Sequence, residues 1–358
     1  MIPVTKSFLP PLEDYVEYLK KIWESNQLTN NGPLVQELEQ KLKDYLGVKH
    51  LFFVSNGTIA EQIAIKALDL HGEVITTPFS YVATTSSIVW EGCQPVFVDI
   101  DPKTLCIDPD LIEAAITSRT SAIVATHVYG IPCAVEKIQA IAQKHGLKVI
   151  YDAAHTFGVK YKGRSLVSFG DISTLSFHAT KLFHTVEGGA IITGDDELAH
   201  RIRYMRNFGH NGQEAFWGLG INGKNSEFHA AMGLCVLPHM EEIISARRQV
   251  SGWYDELLAD SCLIRPILPA STEYNYAYYP VLFPTEEALI HAKDLMNENE
   301  IFPRRYFYPS LNTLSYVKNQ SSKISDFLGK NVLCLPLFFE LSHCEVNAIC
   351  ELLFSIDK

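Results

Sequence analysis

Short apolar runs alternate with amphipathic stretches through the first two thirds of the chain. The runs are rich in β-branched and aromatic residues and have the length of buried strands. Seven strands are predicted, at residues 50–56, 72–78, 95–101, 121–128, 147–155, 171–178 and 189–195. Strands that alternate with helices require a mostly parallel sheet with helices on both faces. Ligands of such sheets bind at the carboxyl ends of the strands.

The helical pattern divides the chain into two parts. A helix is predicted to begin at Pro33, a residue favoured at the first helical position, and to stop at Gly47. The regular alternation later ends, and a long helical stretch at 237–260 leads into less regular elements. We therefore predict a large domain over residues 1–239 and a smaller C-terminal α+β domain over residues 240–358.

The composition is ordinary for a soluble globular protein, with 47% hydrophobic and 20% charged residues. The net charge of −11 argues against nucleic acid or a membrane surface as the partner, because either would be repelled. The eight cysteines form no C-x-x-C pair and no zinc-type grouping with histidine, so we expect no metal site and a reducing compartment. The first residues of the given sequence show no basic segment followed by an apolar run, so we expect no secretory leader, and no apolar run reaches about 18 residues. The sequence therefore predicts a cytoplasmic protein.

The segment FFVSNGTIAEQIAIKAL predicts a strand, a turn and a helix that opens at Thr58. Free backbone N–H groups at a helix N-terminus bind phosphate, and Gly57 lets phosphate oxygens approach closely. Thr58 and Glu61 also have the T-x-x-E spacing of a capping box, which needs no ligand. Both interpretations stay open on these residues alone.

Three ionisable residues follow predicted strands. Asp152 comes at the end of a buried strand, where a carboxylate either meets a cationic or N–H partner or caps the next helix. His155 can face the same ligand, although a lone histidine is often a satisfied core or surface residue. Lys181 lies between the apolar segments STLSF and GGAIIT, where it either snorkels to solvent or serves as a Schiff-base nucleophile whose proton affinity is lowered by desolvation.

These signals converge on one chemistry. A phosphate site, a carboxylate, the aromatic Tyr81 and Lys181 all fall at strand ends of a single predicted sheet. Pyridoxal 5′-phosphate needs a phosphate anchor, a lysine that accepts its aldehyde, a carboxylate that keeps its ring nitrogen protonated, and a flat side chain against the ring. The residues therefore predict a pyridoxal 5′-phosphate enzyme.

Nine segments, spread over nearly the whole chain, occur in a familiar order. They are LTNNGPLVQELEQKLKDYLGVKH, VSNGTIAEQIAIKAL, ITTPFSYVAT, GCQPVFVDID, THVYGIP, VIYDAAHTFG, SFHATKLFHTVEGGAIIT, GINGKNSEFHAAMGL and LCLPLF. This order resembles the DegT/DnrJ/EryC1/StrS sugar aminotransferases, which have fold type I of the pyridoxal phosphate enzymes, the aspartate aminotransferase-like fold. SFHATKLFHT and GINGKNSEFHAAMGL are most similar to transaminases that act on dTDP-4-keto-6-deoxyglucose.

The resemblance implies a role for each matched residue. Lys181 would bond covalently to the cofactor and, once released, move the proton between cofactor and sugar carbons. Asp152 would pair with the pyridinium nitrogen, and Tyr81 would stack on the ring. The remaining contacts would be His155 at the ring's 3-hydroxyl group and Gly57, Thr58 and Ser176 at the phosphate.

In the family the phosphate site is completed by the neighbouring subunit. The matching stretch GINGKNSE nominates Asn222 and, less directly, Lys224, and implies a homodimer with shared active sites. Lys224 departs from the family's common arginine and cannot give the same bidentate contact. Val186 replaces a glycine before the EGG turn, so we expect the loop after Lys181 to take a different course.

The implied reaction is a two-stage transamination. L-glutamate would donate its amine, and the keto carbon of a nucleotide-linked sugar would receive it. The expected conversion is dTDP-4-keto-6-deoxy-D-glucose to dTDP-4-amino-4,6-dideoxy-D-glucose, for O-antigen or surface polysaccharide. Amination at C3, C4 amination with the galacto configuration, and the nucleotide stay open.

The anionic sugar nucleotide needs local positive charge in a protein of this net charge. Candidates among basic and aromatic side chains, each of which can also be a surface or core residue, are Arg203, Arg206, Lys224, Arg304, Arg305, Tyr306 and Tyr308. Two rival functions are disfavoured. A nucleotide-sugar oxidoreductase would have G-x-G-x-x-G where this chain has SNGTIAE. A non-catalytic relative would not need Lys181 and Asp152 together, and the family's dehydratases replace that lysine with histidine.

Overall fold

The computed structural model describes residues 1–318 and 320–354. Its α-helices are α1 (Leu12–Ser25), α2 (Pro33–Leu46), α3 (Gly57–Ala67), α4 (Val82–Trp90), α5 (Pro109–Ile112), α6 (Val135–His145), α7 (Asp196–Met205), α8 (Glu227–Val236), α9 (Met240–Leu257), α10 (Glu286–Glu298), α11 (Lys323–Asn331) and α12 (His343–Phe354). Its strands are β1 (Ile2–Pro3), β2 (His50–Val54), β3 (Glu73–Thr76), β4 (Gln94–Phe97), β5 (Thr120–Thr126), β6 (Lys148–Asp152), β7 (Lys160–Tyr161), β8 (Arg164–Ser165), β9 (Ile172–Ser176), β10 (Gly189–Thr193), β11 (Thr272–Glu273), β12 (Tyr279–Leu282), β13 (Ile301–Phe302) and β14 (Val332–Leu335).

The seven strands predicted from the apolar runs pair as one sheet, in the order β2-β10-β9-β6-β5-β3-β4. Neighbouring strands run parallel except around β10, which is antiparallel to both β2 and β9. The α/β class with a mostly parallel seven-stranded sheet is confirmed. Because six strands run the same way, their carboxyl ends meet at one edge, and β10 begins at that edge with Gly189.

Both faces of the sheet are covered, and β2 shows how its residues divide between them. Leu51 and Phe53 pack with α2 and α8, whereas Phe52 and Val54 pack with α3 and α7. Successive side chains of a strand point to opposite faces, so a strand buried on both faces is continuously apolar. Phe53 is fully buried, and its replacement by alanine would cost about 3–5 kcal/mol.

The C-terminal elements form a further layer. Strands β12 and β14 pair antiparallel, and α9, α10 and α12 pack around them in a separate apolar cluster. The first residues of the chain join this part, since β1 pairs with β13 and Ile2 lies opposite Ile301. The domain boundary at residue 240 stays a prediction. In the part of the chain that the structure describes, no helix combines the length and the apolarity that crossing a membrane requires.

Candidate active site

A cavity of about 540 Å³ opens at the carboxyl edge of the sheet. Turns after β2, β3, β6 and β9 form its floor, and residues of the C-terminal elements close it from above. The predicted site residues that line it are Gly57, Thr58, Tyr81, Asp152, His155, Ser176, Lys181, Arg304 and Tyr306. The lining that the described residues form does not include Asn222, Lys224, Arg305 or Tyr308.

The N-terminus of α3 forms one wall of this cavity. The helix begins at Gly57, and the Asn56 side chain caps it by accepting a hydrogen bond from the N–H of Ile59 at 2.8 Å. The capping-box interpretation of Thr58 and Glu61 is therefore wrong, because another residue occupies the N-cap position. A Cβ at residue 57 would lie 3.0 Å from the Cβ of Ser176, so glycine is needed for the close approach of these two turns.

Asp152 is a buried carboxylate at the end of β6, and hydroxyl and backbone donors surround it. Thr84 donates to its Oδ2 at 2.7 Å, Thr126 at 3.5 Å, and the N–H of Ala154 to its Oδ1 at 3.1 Å. Ser80 lies within hydrogen-bond distance of both threonine hydroxyls, at 2.9 and 3.0 Å. Donors of this kind favour the ionised carboxylate. The site therefore presents a carboxyl group whose oxygens are held by donors, suited to a cationic ring nitrogen.

Lys181 is held by a tightly closed loop between β9 and β10. The N–H of Phe177 donates to the carbonyl of Gly188 at 2.8 Å, and Phe183 is buried against Phe157 with ring centroids 4.4 Å apart. The Lys181 Nζ donates to the phenolic oxygen of Tyr278 at 3.4 Å. Burial lowers the pKa of Lys181, although the charge of Asp152 partly opposes that effect. Lowered basicity favours the neutral amine that acts as a nucleophile and base.

Val186 lies in the same loop and has φ = 66°, in the left-handed region that favours glycine. A glycine adopts this angle without strain, whereas the valine here is strained. In the turn that follows, Gly188 is tightly confined, because a Cβ there would lie 2.1 Å from the Thr185 hydroxyl.

His155 lies deep in the cavity as a neutral ring. The N–H of Tyr129 donates to its Nδ1 at 3.1 Å, which leaves the proton of the neutral imidazole on Nε2. Burial and the nearby charge of Lys181 hold the pKa of His155 well below its ordinary value. Phe307 stacks parallel to the ring at 5.7 Å. Tyr81, at the N-terminus of α4, is 56% exposed and lines the cavity.

Tyr278, Thr84 and Glu61 were not among the predicted site residues. Tyr278 lines the cavity from the irregular segment before β12, which gave no pattern for predicting its position. Thr84 supports Asp152, and Glu61 lines the cavity from α3. Glu61 could have been predicted as a cavity residue. It lies one turn after Thr58 in the predicted phosphate-binding helix, so both residues are on the same helix face.

Two of the substrate candidates contact each other outside the cavity lining. Arg305 lies 3.7 Å from the ring centre of Tyr308, and it donates to Glu286 at 2.7 Å and to the carbonyl of Lys330 at 3.0 Å. Tyr306 faces the cavity and meets Tyr278 edge-on at 5.8 Å.

The remaining basic candidates line a smaller cavity of about 180 Å³ beside α7. Arg206 is buried there, paired with Glu39, and donates to the carbonyl of Phe53 at 3.0 Å. Lys224 donates to Asn222, whereas Arg203 is exposed. Arg206 therefore has structural partners, while Lys224 and Arg203 remain accessible.

Comparison with known proteins identifies the family. The model of the DegT/DnrJ/EryC1/StrS aminotransferase family matches residues 12–354 of this chain. The chain belongs to this family. The dTDP-4-amino-4,6-dideoxy-D-glucose transaminase of Shigella dysenteriae is 45% identical to this aminotransferase over 95% of this chain and 94% of its own.

Two solved structures are similar to this aminotransferase over most of its length. DesI, crystallised in the presence of its TDP-sugar product, has a TM-score of 0.93 and 34% identity over 98% of this chain and 92% of its own. NtdA from Bacillus subtilis, with bound cofactor PMP, has a TM-score of 0.89 and 28% identity over 96% of this chain and 81% of its own.

The aminotransferase thus has fold type I and is a transaminase that uses pyridoxal 5′-phosphate, as predicted. The cavity residues fit that cofactor. A helix N-terminus next to Ser176 suits a phosphate, the buried Asp152 suits a pyridinium nitrogen, and Lys181 suits an aldehyde. The individual roles of these residues stay predictions.

Proposed function

We propose that this aminotransferase moves the amino group of L-glutamate to C4 of dTDP-4-keto-6-deoxy-D-glucose and forms dTDP-4-amino-4,6-dideoxy-D-glucose. The observation that carries the proposal is the 45% identity, over 95% of the chain, to the Shigella transaminase named for that product. The similarity to DesI, whose structure was determined with a TDP-sugar product, supports a thymidine nucleotide. We place the product in O-antigen or another surface polysaccharide.

Some residues around the cavity bind the cofactor, and Lys181 transfers protons. Bound pyridoxal 5′-phosphate supplies the aldehyde and the electron sink. The N-terminus of α3, with Gly57, Thr58 and Ser176, holds the phosphate group by backbone N–H and hydroxyl donors. Asp152 keeps a proton on the ring nitrogen, while Lys181, in its neutral form, takes a proton from one carbon and returns it to another.

His155 and Tyr81 orient the ring from two sides. With its proton on Nε2, His155 donates a hydrogen bond toward the ring's 3-hydroxyl group, and its parallel contact with Phe307 fixes the plane of the imidazole. Tyr81, which lines the cavity, would stack on the ring. Both contacts restrict the motion of the reacting carbon relative to Lys181.

The active unit is a homodimer in this proposal. The loop before Asn222 exposes four large apolar side chains by 46 to 72%, which supports its contact with a second copy. These side chains are Phe208, Phe216, Trp217 and Leu219. Asn222 and Lys224 follow directly and would reach the phosphate of the partner's site. We also retain the expected cytoplasmic location, which the free thiols of Cys93, Cys106 and Cys133 support.

The test is to identify the product. The purified protein is incubated with L-glutamate and dTDP-4-keto-6-deoxy-D-glucose, and the amino sugar is assigned by NMR. We expect an equatorial amine at C4 and release of 2-oxoglutarate. An amine at C3, or an axial amine at C4, would replace this proposal with 3-keto-sugar or galacto-type amination. No transfer to any keto sugar would refute it.

A further inference from the structure

Glu61 is a buried carboxyl group that helix capping does not explain. It lies on α3, one turn after Thr58, is 5% exposed and lines the same cavity as Asp152. Asn56 performs the capping at this helix. Among the described residues, no hydrogen-bond partner lies within ordinary geometry of the Glu61 Oε2 atom. An acidic side chain in such surroundings normally has a partner or a function.

Asp152 is the neighbouring charged group that acts on Glu61. It lines the same cavity and acts on Glu61 by its charge. The packed elements α4, β9 and β10 contain no charged residue, and Ser87 on α4 supplies a hydroxyl close to Glu61. On the other packed elements, β2 and α7, His50 contacts Asp196 at 2.7 Å and Arg201 contacts Asp69 at 2.8 Å. The α7 residues His200 and Arg203 line the smaller cavity, and Glu197 is exposed. The titratable groups that share the cavity are Tyr81, His155, His178, Lys181, Glu187, Tyr278, Arg304 and Tyr306.

Two adjacent buried carboxyl groups do not both ionise readily, and their hydrogen bonds decide which one keeps a proton. Asp152 accepts hydrogen bonds from Thr84, Thr126 and the N–H of Ala154, all of which favour its ionised form. Glu61 lacks such a set of donors. Burial, followed by the charge of Asp152, raises the pKa of Glu61 well above its ordinary value. These hydrogen bonds therefore favour a proton on Glu61 rather than on Asp152.

We propose that Glu61 donates a hydrogen bond to Asp152 and is a positioning residue for the carboxylate that faces the cofactor ring. The inference rests on the proposed role of Asp152 at the ring nitrogen. A donated hydrogen bond stabilises the ionised form of a carboxylate, so the proton between Asp152 and the ring stays on the ring. It also restricts the orientation of the carboxylate from the α3 side.

The first test measures the proton on Glu61 directly. Full-length holoenzyme is compared with its Glu61→Gln variant by difference infrared spectroscopy at pH 7. We expect the wild type to show the carbonyl band of a neutral carboxylic acid and Glu61→Gln to lack it. The control is Glu256→Gln, at an exposed residue of α9, and it should keep the band. A wild type without the band, or a band that survives in Glu61→Gln, would overturn the proposal. This result does not depend on the sugar substrate.

The second test measures the effect on Asp152. Binding of pyridoxal 5′-phosphate and the pH dependence of its absorption band are compared for wild type, Glu61→Gln and Glu61→Leu. The glutamine can still donate to Asp152, so its affinity and pH profile should stay near those of the wild type. The leucine cannot, so we expect about tenfold weaker binding and a shifted pH profile. Circular dichroism checks that each variant is folded.

A folded Glu61→Leu with the affinity and pH profile of the wild type would refute the positioning role. If Glu61→Leu does not fold, the infrared comparison with Glu61→Gln still decides whether Glu61 holds the proton. Failure of the proposed sugar reaction would appear in the NMR assay and leave both of these readouts unchanged. The two proposals can therefore fail separately.

Discussion

The amine of Lys181 and the phenol of Tyr278 meet at 3.4 Å, and this contact joins the loop after β9 to the segment before β12. Burial raises the pKa of Tyr278 far above its ordinary value, so its hydroxyl keeps its proton. The neutral hydroxyl can accept a hydrogen bond from the lysine ammonium. It therefore helps to set the proton affinity of Lys181.

Replacement of Tyr278 by phenylalanine tests this contact. Loss of a hydrogen bond to a charged group should lower kcat about tenfold. Tyr278→Phe should also lower the pKa of the freed Lys181 further, because the phenol no longer stabilises the ammonium. The acidic limb of the pH–rate profile should therefore move to lower pH. A pH series of kcat measures both effects. An unchanged rate with an unchanged acidic limb would show that the contact has no role in proton transfer.

Replacement of Lys181 by alanine should abolish turnover and leave the fold intact. General acid–base catalysis by a positioned side chain contributes about 10²–10⁴-fold, and this variant also loses the covalent attachment of the cofactor. The wild type should show a visible absorption band that borohydride removes, and Lys181→Ala should not. Lys160→Ala, at an exposed lysine of β7, is the control and should behave as the wild type. Appreciable transfer by Lys181→Ala would contradict the assignment.

Thr84 should matter to cofactor binding although it lies behind Asp152. Its hydroxyl donates to the Asp152 carboxylate at 2.7 Å, and valine of similar shape removes that donor. We expect Thr84→Val to weaken pyridoxal 5′-phosphate binding about tenfold, the cost of one hydrogen bond to a charged group. Thr84→Ser keeps the hydroxyl and should bind within about threefold of the wild type. Equal binding by the valine and serine variants would show that the hydroxyl does not support Asp152.

Replacement of Val186 by glycine should stabilise the protein. A β-branched residue in the left-handed region is strained, and release of that strain should raise the free energy of unfolding by about 1 kcal/mol. Val186→Ala keeps a Cβ and should give a smaller gain. Thermal unfolding of the two variants beside the wild type measures the difference. The strain would be disproved by a glycine variant no more stable than the alanine variant.

Arg206 and Arg203 are close in sequence, yet replacing each by alanine should affect a different property of the enzyme. Arg206 is buried with Glu39, so Arg206→Ala leaves a carboxylate without its partner and should cost about 3–5 kcal/mol of stability. Arg203 is exposed beside the smaller cavity, so Arg203→Ala should leave stability nearly unchanged and raise the KM for the sugar nucleotide. Chemical denaturation and steady-state kinetics separate the two effects. A stable Arg206→Ala with a raised KM would reverse these assignments.

The architecture was predictable because it depends on patterns that are local in the chain. Each central strand is a continuous apolar run, and Pro33 and Gly47 mark the ends of α2 as predicted. Since parallel strands end at one edge, the residues after each run could be assigned to one site. Asp152, Ser176 and Lys181 do line one cavity.

The parts that could not be predicted depend on contacts between segments far apart in sequence. Tyr278 and Thr84 carry no local signal, and their importance follows from what they touch. Arg206 could not be distinguished from an accessible arginine until its partner Glu39 was known. Val186 was recognised as a departure, but its backbone angle was not visible in the sequence.

Gly189, at the start of β10, lies against the turn that begins α3. A Cβ on Gly189 would lie 2.5 Å from the carbonyl oxygen of Asn56 and 2.8 Å from the nitrogen of Gly57. Neither backbone can move without displacing the other, so a side chain gained at one turn requires a compensating change at the other. The start of β10 therefore sets the position of the α3 N-terminus, which forms one wall of the cavity.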